Sequence, residues 1–195
     1  NVSNRHGGVV CERSKDINLK HTDTELKALS DKSFQVQTSL SLQPEDYRIH
    51  FLILDNFSGK IGILHQELHV PGFSGEELQM SDIVLSSKEE SEPGAADTTG
   101  EKIAAEFNRV FRRGEEMNVY IELYNLSLNP STGMNDFKVE YIFFQDKNPI
   151  AQVPSPSSSP TSEKDCRMRT SFRLKNFEPG EYRLQVKVTD IHTGE

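Results

Sequence analysis

Pro44-Glu45-Asp46-Tyr47-Arg48-Ile49-His50-Phe51-Leu52-Ile53-Leu54-Asp55-Asn56-Phe57-Ser58-Gly59 returns near the other end of the chain as Pro179-Gly180-Glu181-Tyr182-Arg183-Leu184-Gln185-Val186-Lys187-Val188-Thr189-Asp190-Ile191-His192-Thr193-Gly194. Pro44 and Pro179, Tyr47 and Tyr182, Asp55 and Asp190, and Gly59 and Gly194 each stand 135 positions apart. Between these fixed points apolar residues occupy every second position, the period of a strand with one buried face. Turn residue, aromatic, acid and glycine keep register together, which marks an internal repeat of one structural unit.

Each copy follows another alternating stretch, Phe34 to Leu42 in the first and Met168 to Leu174 in the second. Strand, short Pro-bearing turn, Tyr, then strand is the layout of a tyrosine corner. The Pro sets the turn, and the Tyr buries its ring while its hydroxyl reaches a backbone group. Further alternating strands are expected at Ile61 to Val70, Leu78 to Leu85, Met117 to Leu126 and Phe137 to Phe144. Val119, Ile121 and Leu123 share a face with Met117, and Phe137, Val139, Tyr141 and Phe143 share another. No long apolar repeat at helical spacing occurs, although Lys102 to Phe111 suits a short helical turn.

The expected fold is therefore all-β: two tandem Ig-like or fibronectin-like antiparallel β-sandwich domains. Pro71-Gly72-Phe73 punctuates the chain between residues 1–73 and 74–195. What precedes and follows the two copies differs, so the first domain is expected to lack its opening strands and the second its last. That pattern suggests a piece of a longer protein. Residues 86–100, acidic with Ser and Gly, and 152–164, rich in Ser and Pro, are expected as flexible loops.

The totals agree with two thin cores. The chain has 195 residues, of which 34% are hydrophobic, and its mean hydropathy is −0.60; domains of about 100 residues are common. Thirty acidic against 22 basic residues, a formal charge of −8, argue against nucleic acid as a partner. The longest apolar runs, Phe51-Leu52-Ile53-Leu54 and Tyr141-Ile142-Phe143-Phe144, are strand-sized, whereas a membrane helix needs about 20 apolar residues. Two cysteines, Cys11 and Cys166, are too few for a disulfide framework. Either they bridge in an oxidising compartment or each is a small, half-buried residue.

The first hairpin can be read residue by residue. With Asn56-Phe57-Ser58-Gly59 as its loop, Asp55 faces Lys60, Phe51 faces Leu64, Arg48 faces Glu67 and Tyr47 faces Leu68. Tyr47, Ile49, Phe51, Ile53, Leu64 and Leu68 then form the core face. The other face carries Arg48, His50, His65 and Glu67, and also Leu52, Leu54, Ile61 and Ile63. Four aliphatics on an outer face need cover, either from a neighbouring domain or another chain, or from a local loop. They are the expected interaction surface.

Motifs for chemistry are scarce: there is no Gly-x-Ser-x-Gly, phosphate-binding glycine loop, His-Glu-x-x-His or Cys-x-x-Cys. No catalytic residue and no cofactor is expected. In His65-Gln66-Glu67-Leu68-His69 the odd-numbered residues share a strand face, and His50 falls opposite His65. Two imidazoles and a carboxylate suit zinc, so His50, His65 and Glu67 are the candidate metal trio; His69 lies about 13 Å from His65 on a regular strand. The plainer reading is a solvated face with an Arg48–Glu67 ion pair. Arg167, Arg169, Arg173, Arg183 and Lys187 point outward and suggest a basic strip for an acidic partner or polysaccharide, or a solvated face of an acidic protein. Tyr120 and Tyr124 share a face and are the candidates for stacking on a glycan, though the chain has no Trp.

Several phrases, taken in order, resemble one family. They are Tyr47 to Asp55, Ser58-Gly59-Lys60-Ile61-Gly62, Leu68-His69-Val70-Pro71-Gly72-Phe73, Met80-Ser81-Asp82-Ile83-Val84-Leu85, Val119 to Leu126, and the second Pro-Gly-x-Tyr strand. From about residue 34 to 194 the order resembles the Ig-like region of bacterial proteins that carry a GWxTD-type domain. It is also similar to the sandwich region of the von Willebrand factor A-related proteins of Acidobacteria. The resemblance implies a secreted or envelope location and a non-catalytic scaffold or docking role toward neighbouring domains or another protein. Neither a Gly-Trp motif nor a metal-ion-dependent adhesion motif occurs here, so no activity of those families' flanking domains carries over. Two rival readings follow from the residues: a carbohydrate-binding or adhesion module, and a metal-dependent enzyme on the His/Glu cluster.

Overall fold

The computed structural model describes residues 1–18, 36, 38–87, 103, 105–155 and 160–194. The chain is all-β and divides into two compact units, Asn1–Gly72 and Phe73–Glu195. The first unit holds β1 (Val2–Asn4), β2 (Val9–Cys11), β3 (Glu45–Leu54) and β4 (Ile61–Val70) in one antiparallel sheet of order β2-β1-β3-β4. The second holds β5 (Gln79–Met80), β6 (Val84–Ser86), β7 (Glu116–Tyr124), β8 (Phe137–Gln145), β9 (Asn148–Pro154), β10 (Cys166–Arg173) and β11 (Arg183–Asp190). There β10-β7-β5, with β6 also on β7, makes one sheet, and β11-β8-β9 makes the other.

The two sheets of the second unit form a sandwich because their strands alternate. Met117, Val119, Ile121 and Leu123 of β7 and Phe172 of β10 point inward from one sheet. Phe137, Val139, Tyr141 and Phe143 of β8 meet them from the other, with Leu184, Val186 and Val188 of β11 packed alongside. Phe172 lies edge-on to both Tyr141 and Phe143, at 5.0 and 5.2 Å between centroids. Each of these buried side chains contributes about 1.5–3 kcal/mol. The Tyr141 hydroxyl, the polar atom this core must satisfy, lies 2.8 Å from the Thr170 hydroxyl.

The internal repeat is reproduced atom by atom. The Tyr47 hydroxyl donates to the Gln43 carbonyl at 2.8 Å, and the Tyr182 hydroxyl to the Glu178 carbonyl at 2.7 Å. The Gly59 amide donates to the Asp55 carbonyl and the Gly194 amide to the Asp190 carbonyl, both at 2.8 Å. Each Asp carboxylate also accepts the amide two residues on, from Phe57 at 2.9 Å and from His192 at 2.8 Å. Gly59 and Gly194 close these turns at φ 69° and 78°, where a Cβ is disfavoured. The pairing extends the parallel: Ile49 lies opposite Val2, and Leu184, its repeat, lies opposite Phe143. The next hairpins are both irregular at the same place, Val2/Ser3 and Phe143/Phe144.

The first hairpin has the register expected of it, Tyr47–Leu68, Arg48–Glu67 and Phe51–Leu64 included, with the Asp55 amide donating to Lys60. Its core face differs. Tyr47 is buried and Ile49 partly so, but Phe51, Ile53 and Leu64 are exposed. Alternation records which face a residue takes, not whether a second layer lies over it.

Other expectations need correction. Leu78 to Leu85 is not one strand: Met80 pairs with Leu123 and Val84 with Tyr120, so this side carries one residue more than β7 and the strand breaks at a bulge. Ser81 holds the break, its amide donating to the Glu122 carbonyl and its hydroxyl accepting the Glu122 amide, both at 2.9 Å. Of the strand expected from Phe34 to Leu42, residues 36 and 38–42 are not in a strand and the rest lie outside the described residues. No helix forms among the described residues of 102–111. Residues 152–154 belong to β9 rather than to a loop, and Ser86 is a buried strand residue. Of the two expected flexible loops, residues 88–100 and 156–159 lie outside the described residues. The five cations do not make one strip: Arg167, Arg169 and Arg173 lie on β10 and Arg183 and Lys187 on β11, in different sheets.

Asp190 ties the repeat into the sandwich. It is buried, and its second oxygen accepts the Ser127 amide at 2.7 Å. Replacing Asp190 with Ala leaves the Ser127 and His192 amides without this acceptor and should cost about 2–3 kcal/mol in urea unfolding. Asp55→Ala, in the exposed copy of the same turn, should move the unfolding midpoint far less.

Candidate functional site

The outer face of the β3–β4 hairpin is graded along its length. Nearest the base, Arg48 Nη2 lies 3.4 Å from Glu67 Oε1. Next, His50 and His65 face each other with Nδ1 atoms 2.8 Å apart and rings edge-on at 4.7 Å. Beyond them come two aliphatic pairs, Leu52 opposite Ile63 and Leu54 opposite Ile61. These four are 68%, 64%, 52% and 61% exposed in that order. Phe57 extends from the loop, fully exposed. Such a contiguous apolar stretch on a surface is what docking sites present.

Hydrogen bonds to Asp55 organise the loop at the polar end of the tip. Ser58 Oγ and the Phe57 amide both donate to Asp55, and these bonds, the serine's first, hold its carboxyl below the ordinary 3.8, with a smaller pull from Lys60. Asp55 thus stays ionised where the strands meet the turn.

The metal trio is only partly assembled. His50 and His65 are brought together, but their Nδ1 atoms are spent on each other, one as donor and one as acceptor. Glu67 is turned to Arg48. Among the described residues no three of His, Cys, Asp and Glu are grouped as a metal site requires. His69 pairs instead with Asp46, at 2.6 Å.

Neither tyrosine offers an open ring. Tyr120 is buried, with the Arg169 guanidinium 5.6 Å from its ring centre. Tyr124 stacks on Phe73 at 4.1 Å and 14°, and its hydroxyl donates to Glu122. Desolvation, aided by Glu122, pushes its pKa up to about 12. Cys11 and Cys166 are both free thiols. Burial, and to a lesser extent Glu163, raises the Cys166 pKa.

Two polar nodes escape the sequence reading. Asn118 Oδ1 accepts Arg169 Nε at 3.2 Å, Arg169 Nη2 at 3.1 Å and Ser171 Oγ at 2.6 Å. Asn135, also buried, bonds Thr161 and the Glu163 carbonyl and pins the returning chain. No motif announces either, since each is made by strands or loops distant in sequence. A polar residue within the otherwise apolar run 117–121 of β7 is the one hint at Asn118.

The Asp55 turn should respond to acid. Its folded pKa lies below the unfolded value, so its stabilisation is complete above about pH 4 and fades as pH falls through the depressed pKa. The Phe57 amide resonance should report this, moving only below the range in which free carboxylates titrate. Cys166 should alkylate with iodoacetamide more slowly than an unstructured cysteine at pH 8. Equal rates would contradict its burial.

No protein-family model, curated protein or solved structure matches this chain.

Proposed function

We propose that the protein is a non-catalytic interaction module whose β3–β4 hairpin docks on a folded partner domain, in the same polypeptide or in another protein. The observation that carries this is the outer face of the hairpin. Four aliphatic side chains stand in cross-strand pairs, each more than half exposed, with an imidazole pair and an ion pair behind them. Apolar side chains at the far end supply the area a partner would bury, and the polar base sets a rim. The secreted or envelope setting is supported by the resemblance to the Ig-like regions of bacterial GWxTD-type and Acidobacterial von Willebrand factor A-related proteins.

A photo-crosslinking residue at Ile63, placed in the protein as its native host expresses it, tests this reading. One discrete adduct, within the polypeptide or to a second one, is expected. Leu54→Asp, which sets an unpaired charge in the same apolar face, should lower the adduct yield about tenfold or more. Crosslinking to solvent alone, with Leu54→Asp changing nothing, would remove the proposal.

A further inference from the structure

Glu106-Phe107-Asn108-Arg109-Val110-Phe111-Arg112-Arg113-Gly114-Glu115 leads into β7 and is held at both ends. The Glu106 amide donates to the Leu85 carbonyl at 2.7 Å. At the other end the Gly114 amide donates to the Leu174 carbonyl at 3.1 Å, and the Leu174 amide to the Glu115 carbonyl at 2.9 Å. Between these anchors a turn is closed by the Arg109 amide, which donates to the Glu106 carbonyl at 3.1 Å. Phe111 packs against the core of the sandwich, whereas Phe107 and Val110 are 56% and 71% exposed. The segment thus commits one aromatic to the core and leaves a second in water.

Residues 107–113 include three arginines and no acid. Arg113 is paired, with Nη2 and Nη1 at 3.1 and 3.4 Å from the two Glu178 carboxylate oxygens. Arg109 and Arg112 are exposed, and among the described residues neither guanidinium has an acceptor. Of the flanking acids, Glu115 is turned back to the Arg112 amide at 2.7 Å, and Glu106 is half-buried. Arg109 also sits at φ 53°, the left-handed region that long side chains seldom occupy. Backbone held against its local preference collects at sites of contact with ligands.

We propose that this turn docks the protein on an anionic lipid surface, with Phe107 and Val110 entering the headgroup layer and Arg109 and Arg112 meeting lipid phosphates. Apolar side chains interleaved with unpaired cations are what an interfacial anchor presents. Arginine stems lie along apolar surface while their guanidiniums stay with the phosphates. A bilayer accepts a projecting apolar side chain without a preformed pocket, whereas a folded partner must supply one. An acidic polypeptide would satisfy the arginines but leave Phe107 and Val110 in water. The formal charge of −8 does not prevent docking, because exposed charges more than about 8 Å apart are largely screened at physiological salt. Binding through so few side chains is peripheral and reversible. It uses neither the β3–β4 hairpin face nor that hairpin's partner.

The protein has no Trp, so Phe107→Trp in the whole chain places a single reporter at the turn. With vesicles of equal parts phosphatidylcholine and phosphatidylglycerol at low salt, its emission should shift to the blue and the protein should sediment with the lipid. Pure phosphatidylcholine vesicles should bind about tenfold less or weaker still. Arg109→Asn combined with Arg112→Gln should weaken sedimentation with the mixed vesicles about tenfold or more, the Asn being suited to the left-handed backbone. Phe107→Ser combined with Val110→Ser should do the same. Absence of sedimentation with the mixed vesicles overturns the proposal. So does binding that both turn variants leave unchanged while Leu54→Asp abolishes it, which would move the contact to the hairpin. A blue shift with polyglutamate but not with the vesicles assigns the turn to an acidic polypeptide and overturns the lipid surface.

Discussion

Tyr141 stands where the two sheets of the second unit meet. Its ring is wholly buried, its edge contact with Phe172 links β8 to β10, and its hydroxyl is satisfied by Thr170. Removing water from both inner faces at once is the dominant favourable term for a thin domain. The alternation of β7, β8 and β10 yields stability only because a second sheet lies opposite. Asp190, Asn135 and the tyrosine corner then hold the connecting segments to that closed core.

Among its described residues the first unit carries much of the same chemistry without that closure. β3 repeats β11 in sequence, in tyrosine bond and in turn, yet Phe51 and Ile53 are exposed where Val186 and Val188 pack against a core. What β3 has is β4, along the edge that matches the one on which no strand pairs with β11 among the described residues. Exposed apolar surface such as that of Phe51 and Ile53 costs free energy to leave in water.

Charge is spent locally rather than pooled. Arg48 pairs with Glu67, Arg113 with Glu178 and Arg167 with Glu122. Exposed pairs of this kind are worth about 1 kcal/mol or less, so they set register and solubility more than stability. The basic residues of β10 and β11 belong to different sheets, and no single cationic surface results.

The positions of β3, β4, β7, β8, β10 and β11, the hairpin register down to Arg48 opposite Glu67, the tyrosine corner and the repeated Asp turn were legible in the sequence, whereas β1, β2 and β9 were not. Each is a local property, fixed by period-two alternation and by the few residues that suit a turn. The pairing of His50 with His65 was legible for the same reason, because register follows from loop length. The Arg48–Glu67 ion pair was legible too, but the sequence could not show that Tyr120 would be buried or that Leu78 to Leu85 would break at a bulge. Those outcomes depend on which strands become neighbours. Nor could it show that, among the described residues, one copy of the repeat meets a facing sheet and the other does not. Alternation sorts side chains to a face, but only tertiary contact, summed over residues far apart in the chain, decides whether that face leaves water.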